Sequence, residues 1–198
     1  MGPENRRDEG VSMRPTDLTI GQMLPDDDEA VQQAAELIHA AWPDWKETRE
    51  DALAEVREGL EPGRILLAAR DGDVVLGWVG AIPTYDFAWE LHPLVVRDGT
   101  RGQGVGRALV GALEEELRSR GALTVYLGTD DDGPTAGTSA WGVDLFPDPL
   151  AHAARLESFD HPVGFYRKLG YVVIGLVPDA NGPGRPDILM GKRLSGVR

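Results

Sequence analysis

One short run constrains the fold of this chain more than any other: Arg101-Gly102-Gln103-Gly104-Val105-Gly106-Arg107, between an apolar strand pattern and an amphipathic helix pattern. Its glycines let the backbone approach a ligand, and the helix that follows directs unpaired N–H groups at a phosphate. A nucleotide P-loop needs lysine directly after its last glycine, and a dinucleotide fingerprint starting at Gly102 needs glycine or alanine at position 107. Neither condition is met, so the run predicts a phosphate-binding loop of another kind, or a glycine-rich turn without a ligand.

The periodicity on both sides of this run predicts one mixed α/β domain. The predicted order is a strand, two helices, three strands, the helix after the glycine-rich run, a strand, a helix and two closing strands. Residues 130–160 are rich in glycine, proline and acids, with a helical pattern only at 150–156, and a loop of this length is usually functional or mobile. We expect residues 1–15 to be a disordered tail and residues 16–198 to be the single domain. The predicted strands are 16–22, 65–69, 74–82, 89–96, 123–128, 171–177 and 187–194, and the predicted helices are about 25–41, 48–60, 104–120 and 162–169.

Composition and charge exclude several classes of protein. Cysteine is absent, which excludes disulfides, thiolate metal sites and cysteine nucleophiles, and the four histidines do not suggest a metal site. Acidic residues outnumber basic residues 33 to 20, and the net charge of −13 repels nucleic acid and attracts polycations. No apolar run reaches the length of about 18 residues that crosses a membrane, and no secretion signal is recognisable. We therefore expect a cytoplasmic protein that binds neither nucleic acid nor membranes.

The strand predicted before the glycine-rich run has polar residues at unusual positions. Alternation places Glu90, His92 and Leu94 on one face, and a carboxylate and an imidazole are poor core residues unless they are paired. Pro93 cannot donate to a sheet ladder, so the sheet should open or bulge there. The two interpretations are a ligand site at this opening and a solvated sheet face.

These motifs together resemble a known family. The pattern Arg-x-x-Gly-x-Gly after an apolar strand resembles the acetyl-CoA pyrophosphate loop of the GNAT N-acetyltransferase superfamily. Over about residues 26–192 the chain resembles the chromosomal subgroup of the aminoglycoside 6′-N-acetyltransferases, except in the segment 132–160 and in its extra N-terminal tail. The resemblance implies a GNAT-like fold: a central, mostly antiparallel mixed sheet of about seven strands, splayed at the acyl-CoA site and flanked by helices. The matching segments are Trp42-Pro43, 80–85, 89–96, 126–131, 161–162, 165–171, 178–182 and 186–188.

The resemblance also implies a reaction, the direct transfer of acetyl from acetyl-CoA to an amine in a ternary complex without a metal. Glu90 would bind or deprotonate the attacking amine, His92 would be its neighbour, and Tyr166 would give a proton to the CoA thiolate. The amide of Leu94 would stabilise the oxyanion. Acetyl-CoA would be held by Leu94, Val95, Val96, Arg101, Gly102, Gln103, Gly104, Val105, Gly106 and Arg107.

The implied acceptor is an aminoglycoside or a similar polycationic amine. Trp42 and Tyr85 would line the sugar pocket, and Asp130, Asp131 and Asp132 would bind ammonium groups. Such acids also raise the pKa of the amine, and only a neutral amine attacks a thioester, so the reaction needs a proton acceptor. The carboxylate that binds the attacking amine is the candidate, either as a base or as a positioning group.

The sequence also gives an expectation for the oligomeric state and leaves two other functions open. Relatives of this subgroup commonly form homodimers, and the closing strand Asp187 to Leu194, with Ile188 and Leu189, is predicted to supply an apolar edge. Two other functions stay open: acetylation of another amine, such as a polyamine or a peptide N-terminus, and acyl-CoA sensing without catalysis. Glu90 and Tyr166 argue against a sensor, because a binding module needs neither.

Overall fold

The computed structural model describes residues 17–131, 133 and 135–194, and the predicted tail at 1–15 lies outside them. Within the described residues the predicted order of elements is confirmed, including the short helix expected near 150–156. No helix of this part of the chain is long and apolar enough to cross a bilayer. The strands are β1 (Leu18–Gln22), β2 (Ile65–Asp71), β3 (Val74–Pro83), β4 (Ala88–Val96), β5 (Thr124–Asp130), β6 (Val172–Val177) and β7 (Asp187–Arg193), and the helices are α1 (Asp28–Ala41), α2 (Arg49–Gly59), α3 (Val105–Ser119), α4 (Pro149–Ala154) and α5 (Pro162–Lys168).

The strands form one mixed sheet in the order β1-β2-β3-β4-β5-β7-β6. The β4–β5 pair is parallel, whereas β1–β2, β5–β7 and β6–β7 are antiparallel. This confirms the predicted α/β class with a mostly antiparallel sheet of about seven strands.

The chain also divides into two compact units. One contains the described residues up to Gly80 and Pro93–Leu113, and the other contains Ala81–His92 and the described residues from Glu114 onward.

The first unit is organised by helix α1 and its capping residue. Asp27 accepts the Ala30 N–H at 3.1 Å and the Arg70 guanidinium at 2.6 Å, so one carboxylate both starts α1 and ties it to β2. The Trp78 indole of β3 donates to the Ala34 carbonyl at 3.1 Å, which anchors the helix over the sheet. The predicted apolar stripe of α1 is buried, and it consists of Val31, Ala34, Ala35 and Ile38.

Strands β3 and β4 approach each other closely at Gly77, within the first unit. A Cβ atom at this position would lie 2.5 Å from the Val95 carbonyl oxygen and 3.2 Å from the Val96 Cα. Only glycine therefore fits here. The absence of a side chain at Gly77 lets β3 pack closely against the part of β4 that leads into the glycine-rich run.

In the second unit, β5 has different partners along its two sides. It pairs with β4 only over Ala88–Glu90 against Thr124–Tyr126, whereas it pairs with β7 over Thr124–Asp130. The β4–β5 register therefore ends at Glu90 although β5 continues, which is the splaying expected at this point of the sheet.

Strand β7 is an interior strand, so the prediction that it supplies a dimer edge is wrong. It pairs with β5 on one side and β6 on the other, and its Ile188 is fully buried. The physical reason is the turn around Asn181-Gly182, which returns the chain so that β7 lies between β5 and β6. At this end of the described sheet the outer strand is β6, where Val172 and Ile174 are exposed.

Candidate active site

The glycine-rich run forms an open turn between β4 and α3. Gly102 and Gly104 have φ angles of 76° and 93°, which residues with a side chain rarely adopt. A Cβ at either position would meet no atom of the described chain within 4 Å, so this side of the turn has room for a ligand. The turn is held by buried Thr100, whose hydroxyl donates to the Arg97 carbonyl at 2.8 Å.

The N-terminus of α3 follows this turn and favours an anion. The helix begins at Val105 with no acidic residue in its first turn, and the Ala108 N–H bonds to the Gly104 carbonyl at 2.9 Å. The N–H groups before Ala108 have no acceptor within the helix and lie at the positive end of its dipole. Arg101 and Arg107 add two exposed guanidinium groups. This combination of donors and positive charge suits a pyrophosphate.

Burial alternates along β4, as the period of a strand requires. The predicted common face of Glu90, His92 and Leu94 is present, and it is accessible in part to solvent. Its backbone continues directly into the glycine-rich turn. The half-buried residues of this face are Glu90, His92, Leu94 and Val96, and the buried residues between them are Leu91, Pro93 and Val95.

Glu90 lies opposite Tyr126 in the parallel register of β4 and β5. The Tyr126 hydroxyl lies 2.9 Å from Thr84 Oγ1 and 3.4 Å from Glu90 Oε2, and it can donate its single proton to only one of them at a time. Burial raises the pKa of the Tyr126 phenol, the hydrogen bond with Thr84 lowers it, and the charge of Glu90 raises it. Tyr126 is therefore a neutral group that can orient the Glu90 carboxylate. The ring of Tyr85 lies 6.3 Å from that of Tyr126, which adds an aromatic surface beside the carboxylate.

Two further carboxylates face each other where β5 ends and β7 begins. Asp130 is the register partner of Asp187, and Asn181 donates to Asp130 Oδ1 at 2.7 Å. Burial raises the pKa of Asp187, and so do the charges of Asp130 and, less strongly, Glu90, while two backbone N–H groups act in the opposite direction. We refer to Glu90, Asp130 and Asp187 as the carboxylate cluster. Among the described residues, no group of three or more His, Asp or Glu side chains is arranged to hold a metal ion.

His161 ties the end of β5 to the start of α5. Its Nδ1 accepts the Val163 N–H at 3.2 Å and so caps the helix, and its Nε2 lies 2.7 Å from the Asp130 carbonyl oxygen. This pattern assigns the proton to Nε2 of a neutral ring, which donates to that carbonyl. His161 therefore begins a helix, as expected, and holds the backbone of one member of the carboxylate cluster.

Helix α5 carries Tyr166, the predicted proton donor. Its side chain is 7% exposed and packs edge-on against Phe165 and Tyr171, with ring centroids 5.0 and 5.4 Å away. Burial raises the pKa of the Tyr166 phenol far above its usual range. The phenol therefore keeps its proton across the physiological pH range.

The structure gives Asp131 a different role from the predicted contact with substrate. Asp131 is fully buried, and its oxygens accept the Thr138 N–H at 3.1 and 3.2 Å and the Thr138 hydroxyl at 2.6 Å. Thr138 also forms an isolated antiparallel β-bridge with Ser158. This bridge joins two distant positions of the long segment between β5 and α5. Asp130 is exposed, whereas Asp132 lies outside the described residues.

The two aromatic residues predicted to line the sugar pocket belong to different units. Trp42, in the first unit, packs edge-on against Trp45 with ring centroids 5.9 Å apart, and both indoles are partly exposed. Tyr85, in the second unit, is 70% exposed and lines an open concavity of about 550 Å³ formed by residues 84–88 and 123–124. Both residues present aromatic surface to solvent.

Sequence reasoning missed three members of the site, namely Tyr126, Asp187 and Asn181. Alternation along a strand predicts which face a residue occupies, but it does not predict which residue lies opposite on the next strand. The signal that could have found them is their position inside the segments that carry the family resemblance.

The chain is similar to several known proteins. The model of the acetyltransferase (GNAT) family matches residues 34–137. An aminoglycoside 6′-N-acetyltransferase solved in complex with coenzyme A is 38% identical, with a TM-score of 0.85 over 91% of this chain and 99% of that chain. The aminoglycoside 6′-N-acetyltransferase from Enterococcus faecium is also 38% identical, with a TM-score of 0.83 over the same shares. The mycothiol acetyltransferase of Pseudarthrobacter chlorophenolicus is 31% identical over 75% of this chain, which spans only about half, 48%, of that relative.

Proposed function

Because the chain belongs to the acetyltransferase (GNAT) family, we propose that it transfers an acetyl group from acetyl-CoA to the 6′-amine of an aminoglycoside. The family membership confirms the resemblance inferred from the sequence. The similarity to two aminoglycoside 6′-N-acetyltransferases supports the activity, since it extends over nearly the whole of both chains. The observation that carries the proposal is the carboxylate cluster beside Tyr85 and Tyr126, because several negative charges next to aromatic rings suit an amino sugar with several ammonium groups.

Acetyl-CoA, in this proposal, binds at the turn that begins α3. The backbone N–H groups of residues 102–107 would hold its pyrophosphate, and Arg101 and Arg107 would add positive charge. The open side of Gly102 and Gly104 supports this assignment, because a phosphate can reach the backbone there. When bound, acetyl-CoA supplies an activated acyl group, and the backbone of 94–96 would hold the arm that carries it.

The reaction needs a neutral amine, whereas aminoglycoside amines are mostly protonated at neutral pH. Glu90, oriented by Tyr126, accepts the amine proton directly or through a water, or else holds the amine while solvent accepts it. The nitrogen then attacks the thioester carbon, and the Leu94 N–H stabilises the oxyanion. The C–N bond forms, the nitrogen loses a second proton to solvent, the C–S bond breaks, and Tyr166 gives its proton to the thiolate. The phenol regains a proton from solvent.

A side-by-side assay tests the proposal and its alternatives. Purified protein is incubated with acetyl-CoA and with kanamycin, spermidine or a peptide with a free N-terminus, and release of the CoA thiol is followed. We expect kanamycin to be acetylated with the highest kcat/KM. Preference for spermidine or the peptide would assign another amine as substrate, and acetyl-CoA binding without thiol release would assign a sensor.

We also propose a cytoplasmic homodimer. Acetyl-CoA is a cytoplasmic metabolite, which supports the location. The edge strand β6 supports the assembly, because Val172 and Ile174 are 61% and 52% exposed on a strand whose outer side pairs with no other strand of the described residues, and a second copy could bond there. Light scattering should give twice the monomer mass for the wild type and the monomer mass for Ile174→Lys. A wild-type monomer at working concentration would contradict the dimer.

A further inference from the structure

A buried ion pair joins α3 to β7, and the proposed reaction does not use it. Glu114 of α3 is 5% exposed, and its carboxylate accepts hydrogen bonds from Lys192 Nζ at 2.7 and 2.8 Å and from the Arg118 guanidinium at 3.2 Å. Removing two charges from water offsets much of their attraction, so net stability explains such a pair poorly. The pair does fix the position of the Lys192 ammonium group, whose neighbours lie at the end of α5.

The Lys192 side chain lies against Gly170 and Tyr171, just after α5. Its Nζ is 5.6 Å from the centre of the Tyr171 ring, which is within the range of a cation–π contact. A Cβ atom at Gly170 would lie 3.7 Å from Lys192 Cε, so the lysine stem runs directly beside this turn. Gly170 has a φ angle of 89°, a conformation that commonly ends a helix. Lys192 therefore supports the ring of Tyr171 at the point where the chain leaves α5.

Tyr171 contributes a packed ring and a hydroxyl without a hydrogen-bond partner. The residue is 2% exposed, and its hydroxyl has no such partner among the described residues. A buried hydroxyl without a partner costs free energy, which a phenylalanine at the same position would not pay. The contacts that hold Tyr171 in place are therefore those of its ring.

The same ring packs on Tyr166, the proposed proton donor. The two rings meet edge-on with centroids 5.4 Å apart, a geometry that stabilises aromatic pairs. The Tyr171 N–H also donates to the Tyr166 carbonyl at 3.1 Å. Because α5 has only seven residues, its position depends on tertiary contacts of this kind. A continuous set of contacts thus leads from Glu114 and Lys192, through Tyr171, to the ring of Tyr166.

We infer that Tyr171 is a positioning residue, whose ring holds the phenol of Tyr166 in place for proton transfer to the CoA thiolate. Lys192 and Glu114 in turn hold this ring. The inference rests on the proposed function, because it needs acetyl transfer with Tyr166 as the proton donor. It concerns the leaving group, so it applies to whichever amine accepts the acetyl group. It assigns no proton transfer to Tyr171 itself.

The test separates the ring of Tyr171 from its hydroxyl, with acetyl-CoA and kanamycin as substrates. Tyr171→Phe keeps the ring and should leave kcat and both KM values within twofold of wild type. Tyr171→Leu removes the ring, and kcat should fall about fivefold with both KM values within twofold, because a displaced proton donor affects only the transition state. Wild-type kcat in folded Tyr171→Leu, or an equal loss in both variants, would overturn the inference.

A double-variant cycle distinguishes this effect from a general loss of structure. If Tyr171 acts through Tyr166, Tyr171→Leu should cause no further loss of kcat in a protein that already carries Tyr166→Phe. Two losses that multiply would show that Tyr171 affects the rate by another route, and they would overturn the inference. Circular dichroism and melting curves confirm that each variant is folded.

Lys192→Met tests the support of the ring and does not depend on the folding of the Tyr171 variants. The substitution keeps the length of the side chain and removes its charge, so kcat should fall about threefold with both KM values unchanged. Exposed Lys168 of α5 provides the matched control, and Lys168→Met should have wild-type kinetics. An unchanged kcat in Lys192→Met would overturn the role of Lys192 and Glu114.

NMR of protein with ¹³C-labelled tyrosine separates this inference from the proposed function, because it needs no substrate. The Tyr166 signal, assigned from its absence in Tyr166→Phe, should move in Lys192→Met and stay in place in Lys168→Met. If the wild type acetylates no amine, the proposed function fails and the role in proton transfer fails with it, while a moved signal still shows that Lys192 positions Tyr166. An unmoved signal in an active protein would overturn the inference alone.

Discussion

The turn that begins α3 and the carboxylate cluster attract opposite charges, and they are built in opposite ways. The turn consists of backbone N–H groups within one short run, and its function depends on glycines whose φ angles are positive. The cluster consists of three side chains, Glu90, Asp130 and Asp187, from three strands that are distant in the sequence. A site made of backbone should therefore be sensitive to changes in conformation, whereas a site made of side chains should be sensitive to the loss of single charges.

The largest effect is expected from a change of backbone conformation in the turn. Gly104→Val should weaken CoA binding on the order of a thousandfold, because strain at a φ of 93° adds to the loss of charged hydrogen bonds to phosphate. Kanamycin binding should be unchanged. Calorimetry with each ligand measures both effects. Gly111→Ala, at an open and exposed position on α3, is the control and should bind CoA normally. Normal CoA affinity in Gly104→Val would remove the basis for this coenzyme site.

The second effect concerns a single charge of the cluster. Glu90→Gln should lower kcat/KM for kanamycin about a hundredfold and leave CoA affinity unchanged, because the substitution removes a proton acceptor and keeps the shape. If Glu90 moves the proton, the loss should be largest at pH 6, where neutral amine is scarce. Rates measured from pH 6 to 9 decide this, with exposed Glu115→Gln as the control. A loss confined to KM at all pH values would show that Glu90 only positions the amine.

A smaller effect is expected for the proton donor. Tyr166→Phe should lower kcat about tenfold with little change in either KM, since the thiolate develops only in the transition state and CoA is a fairly good leaving group. Because burial raises the pKa of Tyr166, the wild-type rate should not fall with loss of this proton up to pH 9. Steady-state kinetics of both proteins test this. A wild-type kcat in Tyr166→Phe would leave Tyr166 as a packing residue.

The smallest effect is on stability, and it follows from the raised pKa of the Asp187 carboxyl. The pKa of Asp187 is raised in the folded protein, so the folded state holds this proton more tightly than the unfolded state. Its contribution to stability is therefore present at low pH and is lost as the pH rises through the raised pKa. Asp187→Asn should raise the melting temperature by a few degrees at pH 7 and leave it unchanged near pH 3. A lower melting temperature at pH 7 would show that the carboxylate stabilises the fold.

The same contrast explains how much could be predicted from the sequence. The turn and α3 were predicted because glycine spacing and helical periodicity are local signals, readable within one run of residues. The cluster was predicted only in part. Glu90 and Asp130 were identified, whereas Asp187 depends on the β5–β7 register, and Asp131 is buried and accepts hydrogen bonds from Thr138. The prediction that β7 is an edge strand is wrong for the same reason, because apolar composition does not show which strand of a sheet is outermost.

The position of the acetyl group on the product tests the central claim most directly. Wild-type protein, acetyl-CoA and kanamycin are incubated together, and the product is analysed by two-dimensional NMR. The proposed function predicts a single product acetylated at the 6′-nitrogen, formed together with one equivalent of CoA thiol. An acetyl group on another nitrogen, or no product while the protein is folded and binds acetyl-CoA, would contradict it.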